Sequence, residues 1–235
     1  VPLRGVCMHH DLGALGAAIN PRALERQLEI LQSFGCNAIR TSHNPPAPEL
    51  LELCDRMGFV VMVEAFDAWR FGKKRDDYSR VFDDWHEKDL RAMVRRDRNH
   101  PSVILWSVGN EEWRIEGNIL GARLTATMQA HARRLDPTRR NIVAISGGWG
   151  GSSTTTDVVG YNYINQSNPD KQHAEFPHQP GVGTEETTTQ GTRGIYFDDK
   201  ARGHLAPMEK GDTGGNCEKG WKYYAERPFL AGIFF

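Results

Sequence analysis

Two short stretches each end an apolar run in acids. Leu105–Glu112 reads LWSVGNEE and closes on Asn110, Glu111 and Glu112, and Gly183–Glu186 reads GTEE and closes on Glu185 and Glu186. Carboxylates that end strands far apart in a chain can meet across one pocket. A facing pair divides labour, one acid giving and taking a proton while the other attacks or stabilises a cationic centre. Glycosidic cleavage needs such a pair, spaced about 5–5.5 Å for retention and about 6.5–9.5 Å for inversion. An amide beside the acid, here Asn110, can hydrogen-bond a sugar hydroxyl next to the reacting carbon. Glutamates at strand ends also cap helices or pair with surface arginines, so the pattern alone leaves a purely structural role open.

Such acids need elements that aim them inward. Apolar, β-branched runs without strict alternation recur at 3–7, 37–41, 59–64, 103–108, 141–145, 158–163, 181–184 and 229–235, as suits parallel strands buried on both faces. Helix-period sequence lies between them at 21–34, 47–57, 83–98 and 119–135, with weaker segments at 168–175 and 215–226. Asn20–Pro21 reads as a helix start, and Gly35 and Gly58 as stops. Eight βα units in 235 residues fit an α/β fold of the (β/α)8 TIM-barrel type, and no GxGxxG follows the first strand as a dinucleotide-binding open sheet would want. One domain over 1–235 accounts for the length. The chain stops on Ile233–Phe234–Phe235, so the eighth strand reads as its last element and the barrel as cut there. Polar loops at 66–82, 146–157 and 186–214 follow strands, on the barrel face where sites are built; the Ser/Thr/Gly run 147–156 reads as loop.

Composition excludes several partners. A formal net charge of -1, with acids and bases interleaved, offers no field for nucleic acid or an anionic membrane. No apolar run approaches the ~20 residues of a membrane span, and no leader pattern opens the chain, so a soluble protein of the cytoplasm or periplasm is expected. Cys7, Cys36, Cys54 and Cys217 lack paired spacing and are expected as buried thiols outside disulfides. No HExxH or CxxC spacing points to a metal.

Seven motifs, read together, resemble one family. Arg4–Gly5–Val6, His9–His10–Asp11, NAIRTSHNPP (37–46), LCDRMGF (53–59), DRNHPSVILWSVGNE (97–111), DVVGYNY (157–163) and GTE (183–185) are similar in order and placement to the catalytic barrel of glycoside hydrolase family 2, most like its bacterial β-galactosidases. The resemblance runs the length of the chain. It implies Glu111 as general acid/base and Glu185 as nucleophile of a retaining exo-glycosidase acting on terminal β-galactosides through a covalent glycosyl-enzyme intermediate, with Glu112 and Glu186 as the competing readings. Arg40 then steadies the nucleophile, His43 faces the sugar, Tyr163 hydrogen-bonds the nucleophile with Tyr161 as fallback, and Glu64 supports Arg40. His9, Asp11 and Asn110 complete the substrate contacts. Trp69 and Trp106 are open to either a sugar-stacking or a core role.

The same resemblance leaves alternatives. β-Glucuronidases and β-mannosidases share the family, and the Asn-x-Lys motif with which the glucuronidases read a sugar carboxylate would lie beyond Phe235. Some relatives bind magnesium beside the acid/base, but its ligands are not matched here, and no cofactor is required. Flanking β-sandwich domains and the wall after the eighth strand are expected outside this chain, in a full-length protein that can be a homo-oligomer. A fragment that holds carbohydrate without cleaving it is the non-enzymatic reading.

Overall fold

The computed structural model describes residues 2–187, 194–204, 206 and 217–235. Eight parallel strands close into a barrel in sequence order, β1 (Leu3–Met8), β2 (Ala38–Thr41), β3 (Val60–Glu64), β4 (Val103–Asn110), β5 (Arg140–Ile145), β6 (Val158–Asn162), β7 (Gly181–Glu185) and β8 (Leu230–Phe234), with β8 paired to β1. Helices α1 (Pro21–Ser33), α2 (Pro48–Met57), α3 (Phe82–Asp97), α4 (Ile119–Leu135), α5 (Ser152–Thr155), α6 (Pro169–Glu175) and α7 (Cys217–Ala225) lie in the seven connections that follow β1 to β7. This is the (β/α)8 fold expected, with one correction: the run read as loop at 147–156 contains the single helical turn α5. Parts of the loop at 186–214, and the start of the helix placed at 215–226, lie outside the described residues.

Local chemistry sets the helix ends. The Asn20 side chain accepts from the Ala23 amide with Pro21 as first helical residue, and α2 stops where Gly58 takes a left-handed φ of 80°. Strand period then sorts residues into two cores. Ile39, Val61, Val63, Val143 and Val159 face outward into the cluster shared with Leu28, Leu51 and Met128 of the helices. Ala38, Met62, Ile142, Val158, Val182 and Phe234 fill the barrel interior.

Further along β2, β3, β6 and β7 the interior face turns polar. Arg40 follows Ala38, Glu64 follows Met62, Asn162 follows Val158 by four, and Thr184 follows Val182; all four are buried. The barrel is therefore apolar in its lower layers and carries a hydrogen-bonded layer just below its C-terminal mouth. β4 adds two members by breaking period. Its pairing with β5 advances from Ser107↔Ile142 to Asn110↔Ala144, three residues against two, and this bulge turns both Ser107 and Asn110 inward.

Trp69 and Trp106 are fully buried, so both belong to the core and neither presents a face to a sugar. Trp69 packs directly on Gly109, where an added Cβ would lie 2.4 Å from the indole Nε1, and that nitrogen donates to the Val108 carbonyl at 3.0 Å. None of the four cysteines is in a disulfide. Their expected burial needs correcting, since only Cys54 is buried, Cys7 and Cys36 are half-buried and Cys217 is exposed at the start of α7. No helix among the described residues is long and apolar enough to cross a membrane.

Gly109→Ala should force the Trp69 indole away from the strand end and cost about 1–3 kcal/mol, as overpacking of a tight contact does. Urea denaturation checks this, and an unchanged midpoint would show that the contact is not limiting.

Candidate active site

Arg40 occupies the centre of the polar layer with no solvent access. Its Nε and Nη2 form a fork on Glu64, at 2.9–3.1 Å, while Nη1 donates to Glu185 Oε2 at 2.8 Å and to the Thr184 carbonyl at 3.0 Å. Nη2 also donates to Asn110 Oδ1 at 2.7 Å. One side chain from β2 thus touches β3, β4 and β7. Burial opposes its charge, but Glu64, Cys7 and Glu185 outweigh that and raise its pKa further, so the guanidinium remains cationic. Ser107 Oγ donates to Glu64 Oε2 at 2.7 Å and completes the carboxylate's shell.

Glu185 is only 18% exposed and receives one donor on each oxygen, Arg40 Nη1 on Oε2 and the Tyr163 hydroxyl on Oε1 at 2.6 Å. Burial pushes its pKa up; Arg40, the Tyr163 hydroxyl and His43 push harder the other way and hold it below the ordinary carboxylate value. The group is an anion at neutral pH. His43 Nε2 lies 3.6 Å from Glu185 Oε2, and Nδ1 lies 2.7 Å from Glu64 Oε1. A carboxylate only accepts, so Nδ1 carries the proton. His9 sits edge-on to His43 at 5.1 Å between ring centroids; partial burial, followed by His43, lowers its pKa.

Glu111 stands just past β4 with φ 46°, in the left-handed region that few residues other than glycine adopt. Its Oε1 accepts from Asn162 Nδ2 at 2.8 Å. The same nitrogen donates to Asn110 Oδ1 at 3.1 Å, and Thr184 Oγ1 donates to Asn162 Oδ1 at 2.6 Å, which fixes which way the Asn162 amide faces. Glu111 and Glu185 are therefore linked through one continuous chain of groups from β4, β6 and β7. His10, Tyr163 and Thr187 also take positive φ, at 56°, 57° and 47°, within two residues of the ends of β1, β6 and β7. Four of the eight strands end in this way, and sites in folded proteins concentrate such conformations.

The sequence-derived residues mostly converge. Arg40, His43, Glu64, Asn110, Glu111, Tyr163 and Glu185 form one cluster, with His9 at its edge. Asp11 stands apart, exposed at the rim, its charge felt by His9 without a hydrogen bond into the cluster among the described residues. Tyr161 is buried in the core, so the register that places Tyr163 at the mouth is the observed one. Asn110 is more inward than expected. Its Oδ1 is taken by Arg40 and Asn162 and one Nδ2 hydrogen by Asp67 at 3.2 Å, which leaves a single amide hydrogen for a sugar.

Several members had not been picked out. Asn162 lies within the DVVGYNY motif, and its position two steps past Gly160 on a buried strand marks it in retrospect. Lys73 donates from Nζ to Asp67 Oδ1 at 2.9 Å and to the Asn110 carbonyl at 2.8 Å, a contact made across a loop and invisible to strand period. Cys7 Sγ donates to the Thr184 carbonyl at 3.3 Å, under the nucleophile candidate; burial first, moderated by Arg40, pushes its thiol up to about 11.

The carboxylates of Asp67, Glu112 and Glu116 each already have hydrogen-bond partners. Asp67 is paired with the Lys73 ammonium, Glu112 accepts the Trp69 amide at 2.5 Å, and Glu116 is bound by Ser146 and Gly148 amides. Among the described residues no three metal-ligating side chains converge.

Comparison with known proteins decides the family. The model of "Glycosyl hydrolases family 2, TIM barrel domain" matches residues 1–191, which include both strand-end acids. The chain belongs to glycoside hydrolase family 2. Within the family it is similar to β-galactosidase BoGH2A of Bacteroides ovatus, 46% identical over 83% of this chain and 27% of that protein. It is also similar to a putative β-glucuronidase of Formosa agariphila, 35% identical over 83% of this chain and 18% of that protein. A solved β-glycosidase from Bacteroides vulgatus superposes with a TM-score of 0.85 at 30% identity, covering all of this chain and 34% of that one. The chain spans about a quarter of the length of the family 2 relative from B. ovatus.

The second acid of each pair has a different environment. Glu112 and Glu186 are buried, Glu186 accepting the Tyr224 hydroxyl at 2.7 Å and the Ile164 amide at 3.1 Å. Burial, opposed by these hydrogen bonds, raises Glu112 to about 8 and Glu186 to about 7 from the ordinary 4.5. A carboxyl whose folded pKa exceeds its unfolded one keeps a proton that the unfolded chain has lost. Stability is then full below 4.5 and falls as pH rises to about 7 for Glu186 and about 8 for Glu112. Glu112→Gln and Glu186→Gln should each flatten that slope, gaining a few degrees over the parent in thermal melts at pH 8 and little at pH 5. Parallel melting curves for parent and variants across this range would refute the protonated assignment.

Proposed function

We propose that this barrel is the catalytic domain of a retaining β-glycosidase acting on terminal β-galactosides. The observation that carries the reading is the contrast between the two strand-end acids. Glu185 is held anionic by a donor on each oxygen, as an attacking carboxylate requires. Glu111, joined to it through Asn162 and Thr184, is placed to serve the leaving oxygen.

In the first step the Glu185 carboxylate attacks the anomeric carbon, and the bond to the leaving oxygen breaks as Glu111 delivers its proton there. The product is a glycosyl ester on Glu185 and a free alcohol. In the second, Glu111, now a carboxylate, takes a proton from water as the water oxygen attacks the same carbon, releasing Glu185 and a sugar of retained configuration. Tyr163 and Arg40 orient Glu185 and accept the return of its charge. His43, its Nε2 turned to the mouth, contacts the sugar, with His9 and Asp11 on the rim and the remaining Asn110 amide hydrogen for a hydroxyl beside the reacting carbon.

Galactose is favoured because the relative named a β-galactosidase shares 46% identity, against 35% for the putative β-glucuronidase. A uronic acid is the second reading, supported by that latter relative.

Incubation with a fluorosugar inactivator of galactose configuration, followed by peptide mapping, tests nucleophile, mechanism and sugar together. A label on Glu185 is expected. A folded chain that binds galactose without being labelled would support a carbohydrate-holding fragment, and labelling only by the glucuronic-acid analogue would move the substrate to uronides. Glu185→Ala should lower kcat by at least ~10⁴-fold, with azide restoring turnover as an α-glycosyl azide. Glu111→Ala should slow substrates with poor leaving groups by ~10²–10⁴-fold more than activated aryl glycosides, and an equal loss on both would contradict the acid role.

A further inference from the structure

Proton delivery fixes where the leaving group lies. If Glu111 protonates the departing oxygen, whatever that oxygen carries must occupy the side of the mouth that Glu111 borders. There the loop after β3 and the turn after β4 enclose a shallow cleft lined by Phe71, Lys73, Glu111, Trp113 and Arg114.

The walls of this cleft are aromatic and exposed. Trp113 is 57% and Phe71 40% exposed, and each is a large apolar side chain placed in water. Single exposed aromatics need no explanation, but two that flank a candidate proton donor do. Their positions are braced. The Trp113 amide donates to the Glu111 carbonyl at 2.8 Å, so the indole and the acid share one tight turn. Arg114 lies over the Trp113 ring at 4.7 Å and donates from Nη1 to the Phe71 carbonyl at 3.0 Å, tying the two loops together.

The floor is polar. Lys73 bridges Asp67 and the Asn110 carbonyl, and Asp67, half exposed, uses Oδ1 for both Lys73 and Asn110. Among the described residues nothing donates to its Oδ2. Exposed aromatic rings beside a candidate proton donor suit a sugar ring, which offers C–H faces for stacking.

We infer that Phe71 and Trp113 form the platform for the leaving group, and that this group is a second sugar. The inference rests on the glycosidase reading above and adds the class of aglycone to it. Trp113 is the specificity-determining residue and Phe71 its weaker partner.

The test compares kcat/KM on a β-galactosyl disaccharide with that on β-galactosyl fluoride, whose leaving group has no ring to stack, using the full chain. Trp113→Ala should lower the disaccharide-to-fluoride ratio by about tenfold or more, Phe71→Ala less, and Trp113→Phe should restore most of it. Circular dichroism confirms folding, and should Trp113→Ala fail to fold, Phe71→Ala and Trp113→Phe carry the comparison. An unchanged ratio in a parent that hydrolyses both substrates overturns the platform alone. A loss confined to nitrophenyl galactoside would overturn the sugar assignment in favour of an aromatic leaving group. A parent that hydrolyses neither galactosyl substrate overturns the galactoside reading, and the disaccharide platform with it.

Discussion

The ion pair between Arg40 and Glu64, both wholly out of solvent, is the constraint from which the mouth of this barrel is built. Two charges taken from water cost several kcal/mol each, a debt that only close geometry and further hydrogen bonds can offset. Both are present: a guanidinium fork on one carboxylate, with Ser107 and His43 filling the acceptor positions left over. Removing either partner of such a pair costs about 3–5 kcal/mol, because the other charge is then stranded. The guanidinium therefore stays where it is, and its two remaining directions point at Glu185 and Asn110. A rigid cation at the barrel centre fixes a carboxylate on β7 and an amide on β4 at once.

Much of this was legible in the sequence, and the legible parts share one physical property: they repeat. Eight apolar runs alternating with helix-period segments can bury themselves in few ways, and strand period two sends Arg40 and Glu64 to the same face as Ala38 and Met62. Once the motifs of glycoside hydrolase family 2 were matched, Tyr163 and Glu185 fell at the ends of their strands, where the structure places them.

What escaped reading depends on departures from repetition. The bulge between Ser107 and Asn110 inverts the facing of a strand end, and nothing in WSVGN announces an extra residue. The cis peptide between Ser42 and His43 precedes no proline, and so carries no signal either. Lys73 reaches Asn110 from a loop whose path is set by Asp77, which gathers the amides of Lys73, Lys74 and Ser79. Asp11 shows the complementary case: it belongs to a recognisable motif, and in the barrel it is a solvated rim residue. Motif membership gives position along the chain, whereas the hydrogen-bond network decides who meets whom.

The doubled glutamates bring these strands together. In GNEE and GTEE one acid of each pair joins the hydrogen-bonded layer at the mouth and the other is buried in the wall. Glu112 fastens the loop carrying Trp69, whose indole packs on Gly109 behind the bulge. Glu186 fastens Ile164 and, through Tyr224, helix α7. Ile164 directly follows Tyr163, the hydroxyl donor to Glu185, and the Tyr163 amide itself donates to the Glu185 carbonyl at 2.8 Å. Glu186 thus steadies from behind the tyrosine that holds Glu185 in front, and burial, which raises its pKa, disfavours a second negative charge beside the first. The outer wall and the inner site are in this sense one structure, and the repeated letter in the sequence marks the seam.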